Sequence, residues 1–183
     1  MAKTARNLTV AMVITVATVV MPQATRAVDA VSAAPSMAHI RTSDARVEAA
    51  IQSALERSAT FRKMVAIIDA SDSYVYVEGG KCSHGVRGCF VSVSASTTTR
   101  YMRVIVDSRL GELELTGLIA HELRHTIEVI AEPSIRSSEA KYYFYERTAM
   151  HTADGIYETQ AAILAGEVVQ AEVGKSNRRQ QTR

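Results

Sequence analysis

Tryptophan is absent, aromatic residues make up only 5% of the chain, and its 183 residues include just three prolines and two cysteines. Two cysteines are too few to frame a disulfide-built miniprotein. So few prolines, with nine glycines, leave little linker and exclude a collagen-like repeat. The apolar run from Leu8 to Met21 has 14 residues, short of the roughly 20 that a membrane span needs. What is present, 47% hydrophobic and 22% charged, is the make-up of one globular domain of ordinary size.

The apolar run has a setting. Lys3 and Arg6 precede it, Pro22 ends it and small residues follow. Basic start, apolar middle and small-residue exit form the pattern of a secretory signal peptide, residues 1–27, with cleavage after Ala27 or alternatively Ala30. Its removal takes Lys3, Arg6 and Arg26 and no acid, leaving 18 basic against 19 acidic residues. The last nine residues, KSNRRQQTR, hold four more basic residues and no acid. The nominal charge of +2 therefore comes from the two ends. Nothing in it resembles the basic face that nucleic acid requires, so no nucleic-acid partner is expected, and no membrane association once the signal is removed.

Residues 28–42 are small and aperiodic and read as a loose lead-in. A domain is expected over 43–173 and a basic disordered tail over 174–183. From Asp44, Val47, Ala50, Ile51, Ala54 and Leu55 recur at helical spacing, and Thr60 is placed to cap a second helix carrying Phe61, Met64, Val65 and Ile68. Alternation then takes over at 73–78, 89–94 and 100–107. Two successive hairpins imply a small antiparallel sheet. Helical pattern returns from Gly111 to Glu132, where Pro133 stops it, again over Ser138–Met150, and last over Gly155–Val173 with Asp154 as N-cap. Helices, then strands, then helices make an α+β domain.

One segment carries chemistry. Gly117 to Val129 reads GLIAHELRHTIEV, in which His121, Glu122 and His125 form H-E-x-x-H. Four residues apart on a helix is one face, with Cβ atoms about 5–6 Å apart, so two imidazoles there converge on one zinc ion. Glu122 lies about 100° round the helix from His121. It reaches a water beside the ion without being a ligand, which suits it to take that water's proton. Leu123, Ile127 and Ile130 mark the helix's core face.

This segment resembles the active-site helix of the zincin metallopeptidases. A hairpin-rich sheet ahead of it resembles the small gluzincins, minimal relatives of thermolysin, over roughly residues 73–173. The resemblance implies one zinc bound by His121 and His125, Glu122 as general base, and a peptide or protein substrate. The metzincin continuation fails at Glu128 and Ala131, and the aspzincin pattern is absent. A gluzincin draws its third ligand from a Glu on a later helix. Glu128, Glu132, Glu139, Glu146, Glu158, Glu167 and Glu172 are the candidates. Glu158 is preferred, because Ala161, Ala162 and Ala165 give its helix a small-residue side that lets two helices approach. Thermolysin-like enzymes place an Asp four residues after that Glu; here it is Ala162, so support for the ligands falls to Asp154 or Glu128.

A donor for a developing oxyanion is also needed. His151 and Tyr157 are preferred for their nearness to Glu158, over Tyr142, Tyr143 and Tyr145. Cys82 and Cys89 flank a glycine-rich turn and are expected to form a disulfide after export; the rival is a second metal site with His84. The expectation is an exported, periplasmic or extracellular zinc metallopeptidase of zincin-like α+β fold, with a small antiparallel sheet, an H-E-x-x-H helix and a later ligand-bearing helix. The alternatives are a non-catalytic zinc-binding protein of the same fold and an envelope interaction module.

Overall fold

A computed structural model describes residues 37–152 and 157–181. The signal-peptide reading of residues 1–27, most of the lead-in, and Asp154 and Gly155 lie outside the described residues. Within them the chain is α+β: five helices and a small mixed sheet.

The first helix, α1 (Ala45–Arg57), starts where the Asp44 carboxylate accepts from Arg46 N and Val47 N, and buries Val47, Ala50, Ile51, Ala54 and Leu55. The second, α2 (Ala59–Asp69), follows at once. Ser58, not Thr60, is its N-cap, its hydroxyl accepting from Phe61 N at 2.9 Å. Thr60 instead binds the Glu172 carboxylate through both N and Oγ1, and Ser58 Oγ donates to that carboxylate too. Glu172 is thereby accounted for as a tie between the last helix and α2.

Four strands follow the order β1 (Ile40–Arg41), β2 (Ser73–Gly79), β4 (Arg100–Val106), β3 (Gly88–Ala95) across the sheet. The sheet is not antiparallel as expected. β2 lies parallel to both β1 and β4, and only β3 runs antiparallel to β4. Alternation reports which face each residue takes but not which strand it pairs with, and β2 reaches past β3 to the far side of β4. The lead-in also contributes β1, with Ile40 buried; two residues show no period to read.

One sheet face, with Val75, Val77, Met102, Val104 and Val106, packs into the core. Its chief partner is α3 (Glu112–Ile130), which buries Leu115, Ile119, Leu123, Ile127 and Val129. The last helix, α5 (Gln160–Gln181), crosses α3. It continues past Val173, so residues 174–181 are helical where a disordered tail was expected. No proline interrupts that stretch, Gly174 lies near Leu113, and cations in a last helical turn complement the dipole.

The outer edge of β3 is covered by α4 (Ser138–Thr148). Ser138 Oγ accepts from Val93 N at 3.0 Å and donates to Val93 O at 3.2 Å, while the Lys141 ammonium donates to the Phe90 and Val91 carbonyls. An edge covered in this way offers no free backbone along those residues to another chain. Cys89, in β3, is joined to Cys82 as a disulfide, so neither is available as a thiolate ligand beside His84. No helix among the described residues is long and apolar enough to cross a membrane.

Arg100 pins sheet to helix. It is 2% exposed. Its guanidinium donates to Val129 O and Ile130 O at the end of α3 and to Glu132 O just beyond it, and pairs with Asp72 at 2.8 Å. Arg100→Ala removes a buried charged donor shared by the helix end and Asp72 and is expected to cost about 2–4 kcal/mol, read as a fall in the urea midpoint. An unchanged midpoint would contradict this role.

Candidate metal centre

The central helix α3 presents His121 and His125 one turn apart, their rings 5.0 Å between centroids and nearly perpendicular. Facing them is the Glu158 carboxylate. Its Oε2 lies 3.2 Å from His121 Nε2 and its Oε1 3.4 Å from His125 Nε2. One ligand atom from each residue lies within 4.8 Å of the other two. Donors 2.0–2.1 Å from a tetrahedral ion stand about 3.3 Å from one another; each imidazole lies at about that distance from one oxygen of the carboxylate, His121 from Oε2 and His125 from Oε1. Two imidazole nitrogens and a carboxylate fit a divalent cation.

Glu158 was expected in the first turn of the last helix, and it lies outside that helix. The short strands β5 (Met150–His151) and β6 (Tyr157–Glu158) pair antiparallel, and the helix begins only at Gln160. Thr159 stands between strand and helix. Its Oγ1 and its carbonyl both accept from Ala162 N at 3.1 Å, which is the geometry of an N-cap. Helical spacing reads on backward from Ala161 without a break, but a capping Thr and a hairpin residue end it there.

The crossing of α3 and α5 brings Glu158 to the imidazoles. A Cβ on Gly166 would stand 2.9 Å from Gly117 O and 3.2 Å from His121 Cβ. The close approach is made by this glycine pair and not by the alanines expected to provide it; Ala162 is buried and Ala165 partly so.

A second layer fixes the ligands. Glu128 Oε2 lies 3.1 Å from His125 Nδ1, and because a carboxylate only accepts, Nδ1 carries a proton and the ring is held with Nε2 facing Glu158. Thr159 Oγ1 donates to Glu128 Oε1 at 2.7 Å, and Thr159 N donates to Glu158 Oε1 at 2.8 Å. Tyr145, the one buried member of the YYFY run, donates to His125 O at 2.9 Å and reaches Glu128 Oε2 at 3.3 Å. Of the two residues expected to support the ligands, Glu128 contacts His125, and Asp154 lies outside the described residues. Thr159 and Tyr145 were missed: Thr159 has no motif signal, and Tyr145 is one of three tyrosines with equal claim. Arg124 lies beside this layer, its Nε 3.7 Å from Glu128 Oε1.

The charges in this network are strongly coupled. Burial works against a charged His125, but hydrogen bonds to Glu128 and Glu158 outweigh it and lift its pKa to about 9. Burial likewise works against a charged Glu158, and the bonds from His121 and His125 outweigh it, holding the carboxyl at about 2. The carboxylate is accordingly ionised, and a metal ion binding there has to displace the proton on His125 Nε2. Glu122 is 4% exposed, lies outside the three-ligand set, and has its pKa raised chiefly by burial.

His151 and Tyr157 pack on each other, rings 4.8 Å apart. The Tyr157 hydroxyl donates to the Glu146 carboxylate, and His151 Nε2 lies 3.3 Å from Glu146 O. Among the described residues their ring contacts and side-chain hydrogen bonds run to each other, Tyr142 and Glu146, not to the three ligands. Beside His121 opens a cleft of about 270 Å³ lined by Arg87, Leu118, Ile163 and Gln170 among others.

No family model, curated protein or solved structure matches the chain.

Glu158→Ala removes a ligand and is expected to abolish tight zinc binding, read by competition with a chromophoric chelator. Thr159→Val or Glu128→Ala removes support only and is expected to weaken binding about 10–100-fold. Unchanged affinity in all three would dissolve the site.

Proposed function

We propose that this chain is a zinc metallopeptidase working outside the cytoplasm. The observation that carries the reading is the convergence of one ligand atom each from His121, His125 and Glu158 within 4.8 Å of one another, with Glu122 next to His121 on the same helix and outside the set. Two imidazoles with one carboxylate, and a further position left for water, form a donor set suited to a catalytic zinc. It fits the zincin resemblance of the H-E-x-x-H segment. Bound there, zinc supplies a Lewis acid that polarises a carbonyl and acidifies water.

The protein supplies the rest. His121, His125 and Glu158 hold the ion in one geometry, and Glu128 and Thr159 keep the ligands turned toward it. Glu122, more basic than an exposed carboxylate, takes the proton of the attacking water and hands it to the departing amine. The cleft beside His121 offers the scissile peptide a place on that side of the helix. The Cys82–Cys89 disulfide and the signal-like residues 1–27 support export to an oxidising compartment. A non-catalytic zinc protein would share the three ligands and have no use for Glu122. An envelope interaction module would use neither.

Metal analysis of the purified protein is expected to find about one zinc per chain, as one three-ligand site requires, and none in His121→Ala or His125→Ala. Glu122→Gln is expected to keep the zinc and lose cleavage of unfolded casein by about 10²–10⁴-fold. Full cleavage by that variant would leave the non-catalytic reading; metal-free protein would leave the interaction module.

A further inference from the structure

The carboxylate of Glu122 stands against the first residue of β3. A Cβ on Gly88 would lie 2.5 Å from Glu122 Oε1, 3.1 Å from Glu122 Cδ and 2.7 Å from Leu118 Cδ1. Gly88 is not there for its backbone, since Gly85 is the glycine among the described residues with positive φ. A side chain there has to push Glu122 and Leu118 aside.

The strand around Gly88 is held on every side. Gly88 pairs with Val106 and Cys89 with Ile105. The disulfide ties Cys89 to Cys82, and Asp107 N donates to Arg87 O at 2.7 Å. Farther along, Lys141 and Ser138 fasten the outer edge of the strand to α4. Glu122 and Leu118 meet Gly88 with the far ends of flexible side chains. When strand and carboxylate compete for the space, the carboxylate gives way.

We propose that Gly88 is a positioning residue for the Glu122 base: the missing side chain is the slot that sets where the carboxylate stands, and the anchors of β3 fix the slot. This rests on the reading of Glu122 as base. A methyl at Gly88 displaces the carboxylate by about 1 Å, the shortfall from ordinary contact, and a misplacement of that size costs about 10²-fold in rate. It leaves the three ligands untouched.

The test is a crystal structure of Gly88→Ala beside the parent, with zinc content and steady-state kinetics on a fluorogenic peptide. The structure is expected to show Glu122 Oε1 moved by about 1 Å with β3 in place. Zinc stays at one equivalent, kcat falls about 10²-fold and KM stays within about twofold. In a Glu122→Asp background, whose shorter side chain does not reach the slot, Gly88→Ala is expected to make no further difference. Leu118→Ala added to Gly88→Ala removes the other clash, relieves any folding defect, and should not restore kcat. A carboxylate that stays put while the strand moves overturns the proposal. So does an equal loss from Gly88→Ala in the Glu122→Asp background. If the parent binds zinc and cleaves nothing, the peptidase reading falls, and the crystal comparison alone decides whether Gly88 places Glu122.

Discussion

Helices α3 and α5 cross backbone to backbone at Gly117 and Gly166, and the candidate metal centre hangs on that crossing. A Cβ on Gly166 would stand 2.9 Å from Gly117 O, so a side chain there forces the helices apart. His121 sits one turn along from Gly117, and Glu158 lies just before the start of α5. Separating the helices therefore draws the carboxylate away from both imidazoles. The rest of the fold serves to hold α3 still: Arg100 caps its C-terminal end from the sheet, the sheet's inner face packs on it, and Glu172 ties α5 back to α2.

Glu158 and Glu128 bring carboxylates to opposite nitrogens of His125, and one Thr touches both carboxylates. The same residue caps α5. Helix start, ligand orientation and support are thus one joint, and a change at Thr159 affects all three. Glu122 belongs to the same helix but faces β3, where a glycine makes its room. Ligand geometry and base geometry are consequently set by different elements, α5 for the first and β3 for the second.

The H-E-x-x-H helix was legible because its signal is local: spacing along one helix sets which side chains share a face. The core residues of α1, α2 and α3 were legible for the same reason. Glu158 was legible as a residue, through the small-residue side that follows it, yet its element was misread because a capping Thr leaves no mark in helical periodicity. Strand partners were not legible. That β2 lies parallel to β4 depends on contacts between segments far apart in sequence, which alternation does not record. Gly88 escaped notice among four glycines that read as turn punctuation. Its role exists only through the carboxylate that α3 brings beside it. His151 and Tyr157, chosen for nearness in sequence to Glu158, turned out to bond Glu146 and each other.

The central claim is a cation held by two imidazoles and a carboxylate across the α3–α5 crossing. X-ray absorption at the zinc edge on the zinc-loaded full chain tests it most directly. The account predicts nitrogen and oxygen donors at about 2.0–2.1 Å, two of them imidazole. A sulfur shell near 2.3 Å, or an all-oxygen shell with no imidazole scattering, would contradict it.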